Sequence, residues 1–148
     1  MLVQNRAGRK GVPLSRSFSR WIAAIPDKRL HGRKPAQVNI VIVGAREGRG
    51  FNRRYRNKDY ATNVLSFGYD PQRADEVRLL GDLVICAPVV AREAREQHKA
   101  PAHHFAHLAI HGTLHLLGYD HELRSDAEEM ERLERRVLAR LGISDPYV

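Results

Sequence analysis

The 148-residue chain has a single cysteine, Cys86, so it can form no intramolecular disulfide and cannot build a cysteine-rich structural zinc site. Its apolar runs fall far short of the roughly 20 residues of a membrane span. The basic, serine-containing start lacks the apolar core of a secretory signal, and a cytoplasmic protein is expected. No internal repeat is visible, and residues 1–148 read as one domain, long enough to bury a core without staples. Acidic residues are scarce in the first 60 positions, where Asp27, Glu47 and Asp59 stand against 15 of the 25 Lys and Arg. That half carries +12 and the remainder −4. A field so distributed attracts a polyanion without regard to its sequence, and makes binding fall with salt.

What the chain does have is histidine at metal-binding spacing. In His111-Gly-Thr-Leu-His115-Leu-Leu-Gly-Tyr-Asp-His121, the first two histidines are four apart. On a helix they lie on one face and can aim two imidazoles at one point. Gly118 is the residue type that most readily ends a helix in a left-handed conformation, which returns the chain and carries His121 back toward that point. Three neutral imidazoles suit one zinc ion and leave a fourth tetrahedral position open, the pattern of a catalytic site. The spacing also matches the zincin peptidase signature, but the position of the peptidase's general base is held by Gly112, which has no side chain to take a proton. Gly112 implies either close approach of a neighbouring element or room for a substrate. His107, one turn before His111, is expected to be a hydrogen-bonded, partly buried imidazole or a partner of the site.

The surrounding pattern predicts an α+β fold, a small mixed sheet packed against several helices. Residues 1–13 read as irregular. Ser15 or Ser17 is positioned to cap a helix in which Phe18, Trp21, Ile22 and Ile25 form a core stripe. Val38 to Val43, Thr62 to Phe67 and Leu79 to Ile85 read as strands, the last two separated by a polar excursion containing Pro71. Helices are expected over Ala45 to Arg56, Pro88 to Gln97, Ala102 to Leu117 and Ser125 to Leu141. Ser125 and Glu128 make a capping-box pattern, and Glu128, Glu129, Glu131 and Glu134 read as a solvated face. Cys86 closes an apolar run and reads as a small buried hydrophobe.

The runs HLAIHGTLHLLGYDH (His107 to His121), YRNKDYATNVLSF (Tyr55 to Phe67) and LLGDLVIC (Leu79 to Cys86), with the closing GISDPY, closely resemble the bacterial YbeY family over residues 36–147. The resemblance implies a metal-dependent, single-strand-directed endoribonuclease of ribosomal RNA maturation and ribosome quality control. It places that family's zinc ligands on His111, His115 and His121 and its functionally important arginine on Arg56. Two departures concern loop geometry: Ala61-Thr62 stands where the family usually reads proline-threonine, and Gly68 where a proline commonly follows the strand.

On this reading one zinc per chain activates water or polarises a phosphoryl oxygen, and Arg56 offers its planar fork to the developing negative charge. Arg53, Arg54 and Lys58 are expected to hold single-stranded RNA by its phosphates, with the ribosome or ribosomal proteins as further partners. Asp120 and Asp82 are candidates for orienting a ligand or accepting a proton, and either water or a ribose 2′-hydroxyl can attack. Two other classes remain. A metallopeptidase-like hydrolase with a relocated base requires a peptide-sized apolar pocket beside the metal. A ribosome-associated RNA-binding protein with structural zinc requires a fourth protein ligand such as His107, Cys86 or Asp120.

Overall fold

The β-branched run Gln37–Val43 forms a strand, β2, whose alternate residues face opposite sides. Val38, Ile40 and Ile42 enter one core, while Val41 and Val43 belong to a second. In the computed structural model, which describes residues 1–69, 79–119 and 124–147, β2 lies inside a four-stranded sheet. The order is β1 (Val3–Asn5), β2, β4 (Leu79–Cys86), β3 (Val64–Gly68). The first three strands run parallel and β3 is antiparallel to β4, so the sheet is mixed as expected.

Helices cover both faces. α1 (Ser15–Ala23) and α4 (Pro101–Leu116) pack on one face with α5 (Arg124–Arg140), and α2 (Ala45–Arg56) lies over the other; α3 (Ala87–Glu96) packs against α4. Ile40, Ile42, Leu83 and Ile85 are fully buried beneath α1 and α4. Burial of each stabilises by roughly 1.5–3 kcal/mol. Trp21 sits in this core with its ring edge-on to Phe18 at 5.1 Å, which agrees with its place on the apolar stripe.

Pro88 and Pro101 each open a helix at its first turn, where a missing N–H costs nothing. Four local expectations are corrected. Residues Val3–Asn5 are a strand rather than irregular, because they pair in parallel with Ile40–Ile42. A strand this short carries no periodicity of its own, and its hydrogen bonds come from a partner 37 residues away. Ser15 and Ser17 do not cap α1: the cap position is Leu14, without a side-chain bond. Ser125 likewise stands inside the first turn of α5, which Arg124 opens. Glu134 is not on a solvated face but fully buried.

Cys86 ends β4 under α2. Its Sγ donates to the Gly44 carbonyl at 3.6 Å, and a Cβ on Gly48 would come within 2.9 Å of it, so glycine there allows α2 to close on the sheet. Burial pushes the thiol above its ordinary pKa. Native protein is therefore expected to resist iodoacetamide at neutral pH, while denatured protein takes up one label; mass spectrometry of both states reads the difference.

Candidate metal centre

α4 delivers the first two histidines of the motif. Its last turn closes through Gly118, with positive φ of 100°. The Tyr119 N–H donates to the Leu114 carbonyl and the Gly118 N–H to that of His115, each at 3.0 Å. This is the paired bonding of a Schellman termination, and it satisfies carbonyls that the helix end would otherwise leave unpaired. On the last two turns, the Nε2 atoms of His111 and His115 approach to 3.2 Å. Two nitrogens on one tetrahedral zinc, each at about 2.05 Å, lie about 3.3 Å apart, so the pair fits a shared ion. The third predicted ligand, His121, and its neighbour Asp120 lie outside the described residues.

Gly112 separates these histidines for a packing reason. A Cβ there would meet Leu83 Cδ2 at 2.7 Å and Ser66 Oγ at 3.3 Å. The helix thus presses directly on β3 and β4, bringing the histidines against the sheet edge.

Behind the histidines lies a buried acid. Glu134 of α5 accepts from His111 Nδ1 at 2.6 Å on Oε1, and from His107 Nε2 at 3.0 Å and the Tyr147 hydroxyl at 2.6 Å on Oε2. Burial works to raise its pKa, yet the hydrogen bonds from His107 and His111, the electrostatic attraction of His111 and the Tyr147 hydroxyl bond lower it to about 2. Glu134 is therefore ionised and only accepts, so the proton in each contact resides on its partner. Burial and the adjacent carboxylate in turn push the Tyr147 phenol far above its ordinary value.

His107, His111 and Glu134 are close enough together to be a candidate metal group. The 2.6 Å contact is that of a charge-assisted hydrogen bond and is shorter than the separation two ligands keep around a tetrahedral ion. The distances thus favour Glu134 as a hydrogen-bond acceptor for His111 rather than a co-ligand beside it. The sequence does carry a signal for it. Glu134 stands four residues after Met130 and three before Val137, an acid embedded in the apolar stripe rather than beside it.

Arg56 comes to the same place from the opposite side of the sheet. α2 ends there because Asn57 adopts the left-handed conformation at φ 57°. Buried Asn52 then pins the returning chain through its Nδ2 bond to the Tyr60 carbonyl at 2.7 Å, and Arg49 holds Asp59 with two bonds of 2.7 and 2.8 Å. Arg56 Nη2 donates to the Ser66 carbonyl at 3.3 Å, and its guanidinium carbon stands 6.0 Å from the centre of the Phe67 ring. Arg56, Ser66, His107, His111, His115 and Tyr147 line one open cleft of about 600 Å³.

Arg53, Arg54 and Lys58 are exposed on the same helix end and the loop after it, but are not among the residues that line the cleft. Asp82 does not reach it either. It alternates with Leu83, which contacts Gly112, and so faces the other side of β4, where it accepts from the Tyr69 hydroxyl at 2.6 Å. An outer-partner role for Asp82 at the metal is thereby corrected. His104, in the first turn of α4, is buried against Glu93 at 2.9 Å.

A family profile described as Endoribonuclease YbeY matches residues 3–142. A relative with that name from Stenotrophomonas maltophilia is 56% identical over 143 residues, covering 94% of this chain and 87% of the relative. Another, from Xylella fastidiosa, is 53% identical over 144 residues, covering 95% and 88%. The solution structure of TM1509 from Thermotoga maritima shares the fold, with a TM-score of 0.61 over 98% of both chains at 24% identity. Among the described residues, no helix is long and apolar enough to cross a membrane.

Proposed function

The chain belongs to the YbeY endoribonuclease family, and from that premise we propose that it is a zinc-dependent nuclease of the cytoplasm. It cuts single-stranded RNA, ribosomal RNA above all, and serves ribosomal RNA maturation and ribosome quality control. The observation that carries the reading is the cleft itself, in which an arginine and two convergent imidazoles line one open space of about 600 Å³.

His111, His115 and His121 would hold the ion through ring nitrogens, and zinc there supplies water acidified from about 15.7 toward 7 or a polarised phosphoryl oxygen. Arg56 binds the phosphoryl oxygens as their negative charge grows. Its guanidinium is exposed enough to meet a phosphate, while Ser66 and Phe67 restrict where it can point. Arg53, Arg54 and Lys58, outside the cleft, hold the flanking strand by its phosphates.

The readings as a structural-zinc protein and as a peptidase find less support. His107 engages Glu134 through Nε2 and Cys86 lies beneath α2, which weighs against either as a fourth ligand. Asp120 lies outside the described residues. A peptidase with a relocated base requires an apolar pocket beside the metal, whereas Arg56 and Ser66 line this cleft together with the histidines.

Binding and chemistry should separate by mutation. Charge reversal at Arg53, Arg54 and Lys58 is expected to weaken RNA binding and flatten its salt dependence, each lost phosphate contact removing about 0.7 from the logarithmic slope. Cleavage by the bound enzyme should persist. Arg56→Ala should leave binding nearly intact and slow single-turnover cleavage about 10²–10³-fold, the usual effect of removing one transition-state donor. The measurement is equilibrium binding over a salt series beside single-turnover cleavage at saturating enzyme, with zinc supplied. Equal losses of binding in both sets, and no rate loss specific to Arg56, would overturn the nuclease mechanism.

A further inference from the structure

Resting on the zinc reading above, we propose that Glu134 is a positioning residue for the metal centre, held in place by Tyr147 at the chain's end. The three segments that converge here are separate in sequence. His111 lies in α4, Glu134 23 residues on in α5, and Tyr147 a further 13 residues beyond it. Within α4, the contact of His111 Nε2 with His115 Nε2 is compatible with either nitrogen of His111 carrying the proton. A neutral imidazole has one N–H and one lone pair, and binds a metal only through the lone pair.

The buried Oε1 of Glu134 accepts the Nδ1 proton at 2.6 Å, which leaves the lone pair of His111 on Nε2, the atom facing His115 Nε2 at 3.2 Å. The same bond fixes the ring's rotation, because a 2.6 Å contact to a fully buried carboxylate tolerates little swing. Oε2 is occupied by His107 and Tyr147, so Glu134 is held on both oxygens. Tyr147 is itself braced, with the Arg135 guanidinium 5.2 Å from its ring centre, while Arg135 also pairs with Asp145 at 3.0 Å. The C-terminal turn thus sets the carboxylate, and the carboxylate sets the ligand.

Glu134→Gln keeps the shape and removes the charge. Its zinc dissociation constant, measured by competition with a chelating dye, should rise about 10–100-fold, the range for outer partners of metal-binding histidines. Tyr147→Phe should raise it less, about 3–10-fold. Long-range ¹H–¹⁵N spectra of the metal-free protein give a second readout that a purely structural role would not move. They should show His111 as the Nδ1–H tautomer in wild type and as a mixture in Glu134→Gln. Circular dichroism checks that both variants fold.

A wild-type dissociation constant in folded Glu134→Gln, when His115→Ala has lost zinc, would overturn the proposal and leave the zinc reading standing. If wild type itself binds no zinc, the zinc reading fails, and the tautomer decides separately whether Glu134 positions His111. Equal loss of zinc in His107→Ala and Glu134→Gln, with His115→Ala unaffected, would mean that Glu134 is itself a ligand and would overturn it as well.

Discussion

His115→Ala is expected to leave a folded protein that no longer cuts RNA. The side chain is half-buried at the end of α4, and the bonds that terminate the helix around it come from backbone carbonyls, His115's own included, which alanine retains. Removing it takes away one of the two Nε2 atoms that face each other at 3.2 Å. A ligand contributes more than its outer partner, so zinc affinity should fall beyond about 100-fold, the upper end for loss of such partners. Single-turnover cleavage should fall at least about 10³-fold, past the cost of losing one stabilising donor. RNA binding measured without cleavage should be nearly unchanged, because the exposed cations of α2 are untouched. Full zinc content by metal analysis, with cleavage at the wild-type rate, would place the metal elsewhere.

Gly81→Ala should be the most damaging single methyl in the sheet. Gly81 sits beside an irregularity where the register of β2 on β4 shifts between Gln37 and Val38. An added Cβ would strike the Phe67 carbonyl oxygen of β3, and would come within 2.9 Å of Leu116 Cδ2 and 3.0 Å of the Gly68 Cα. A leucine end can turn aside, but backbone atoms on a paired strand cannot do so without breaking the ladder. Overpacking against such a wall is expected to cost about 3 kcal/mol, at the high end for core substitutions, and to lower the thermal midpoint by roughly 10 °C. Activity should fall too, since Leu116 follows His115 and lines the cleft. A midpoint within about 2 °C of wild type would show that β3 can move away from β4 cheaply.

The two substitutions probe different kinds of information. The pairing of His111 with His115 depends on a four-residue spacing and a helical rise, both local, so the pincer was legible before any fold was known. The same holds for Gly118 as the helix end, for Pro88 and Pro101 as helix starts, and for the β-branched run that became β2. The family resemblance added Arg56, which no spacing rule connects to residues 55 positions further on. Only the folded chain, with α2 turning at Asn57 and β3 passing beneath it, puts Arg56 on the histidines' cleft.

Where the reading of the sequence failed, the cause was a partner far along the chain. By composition Glu134 reads as one of several solvated acids, and only its place between Met130 and Val137 on the apolar stripe marks it as inward. Its burial is tolerable only because His107, His111 and Tyr147 supply three donors from two other segments. Val3–Asn5 could not look like a strand, since three residues have no period, and its hydrogen bonds belong to β2. Asp82 was on the right strand but the wrong face, a matter of register that the contact of Leu83 with Gly112 settled. The sequence by itself therefore determined the pairing of the two imidazoles and the helix that presents them, because both follow from spacings of a few residues. Tertiary structure alone decided what supports those imidazoles and what faces them, because desolvation and pairing of charge depend on which distant segments meet.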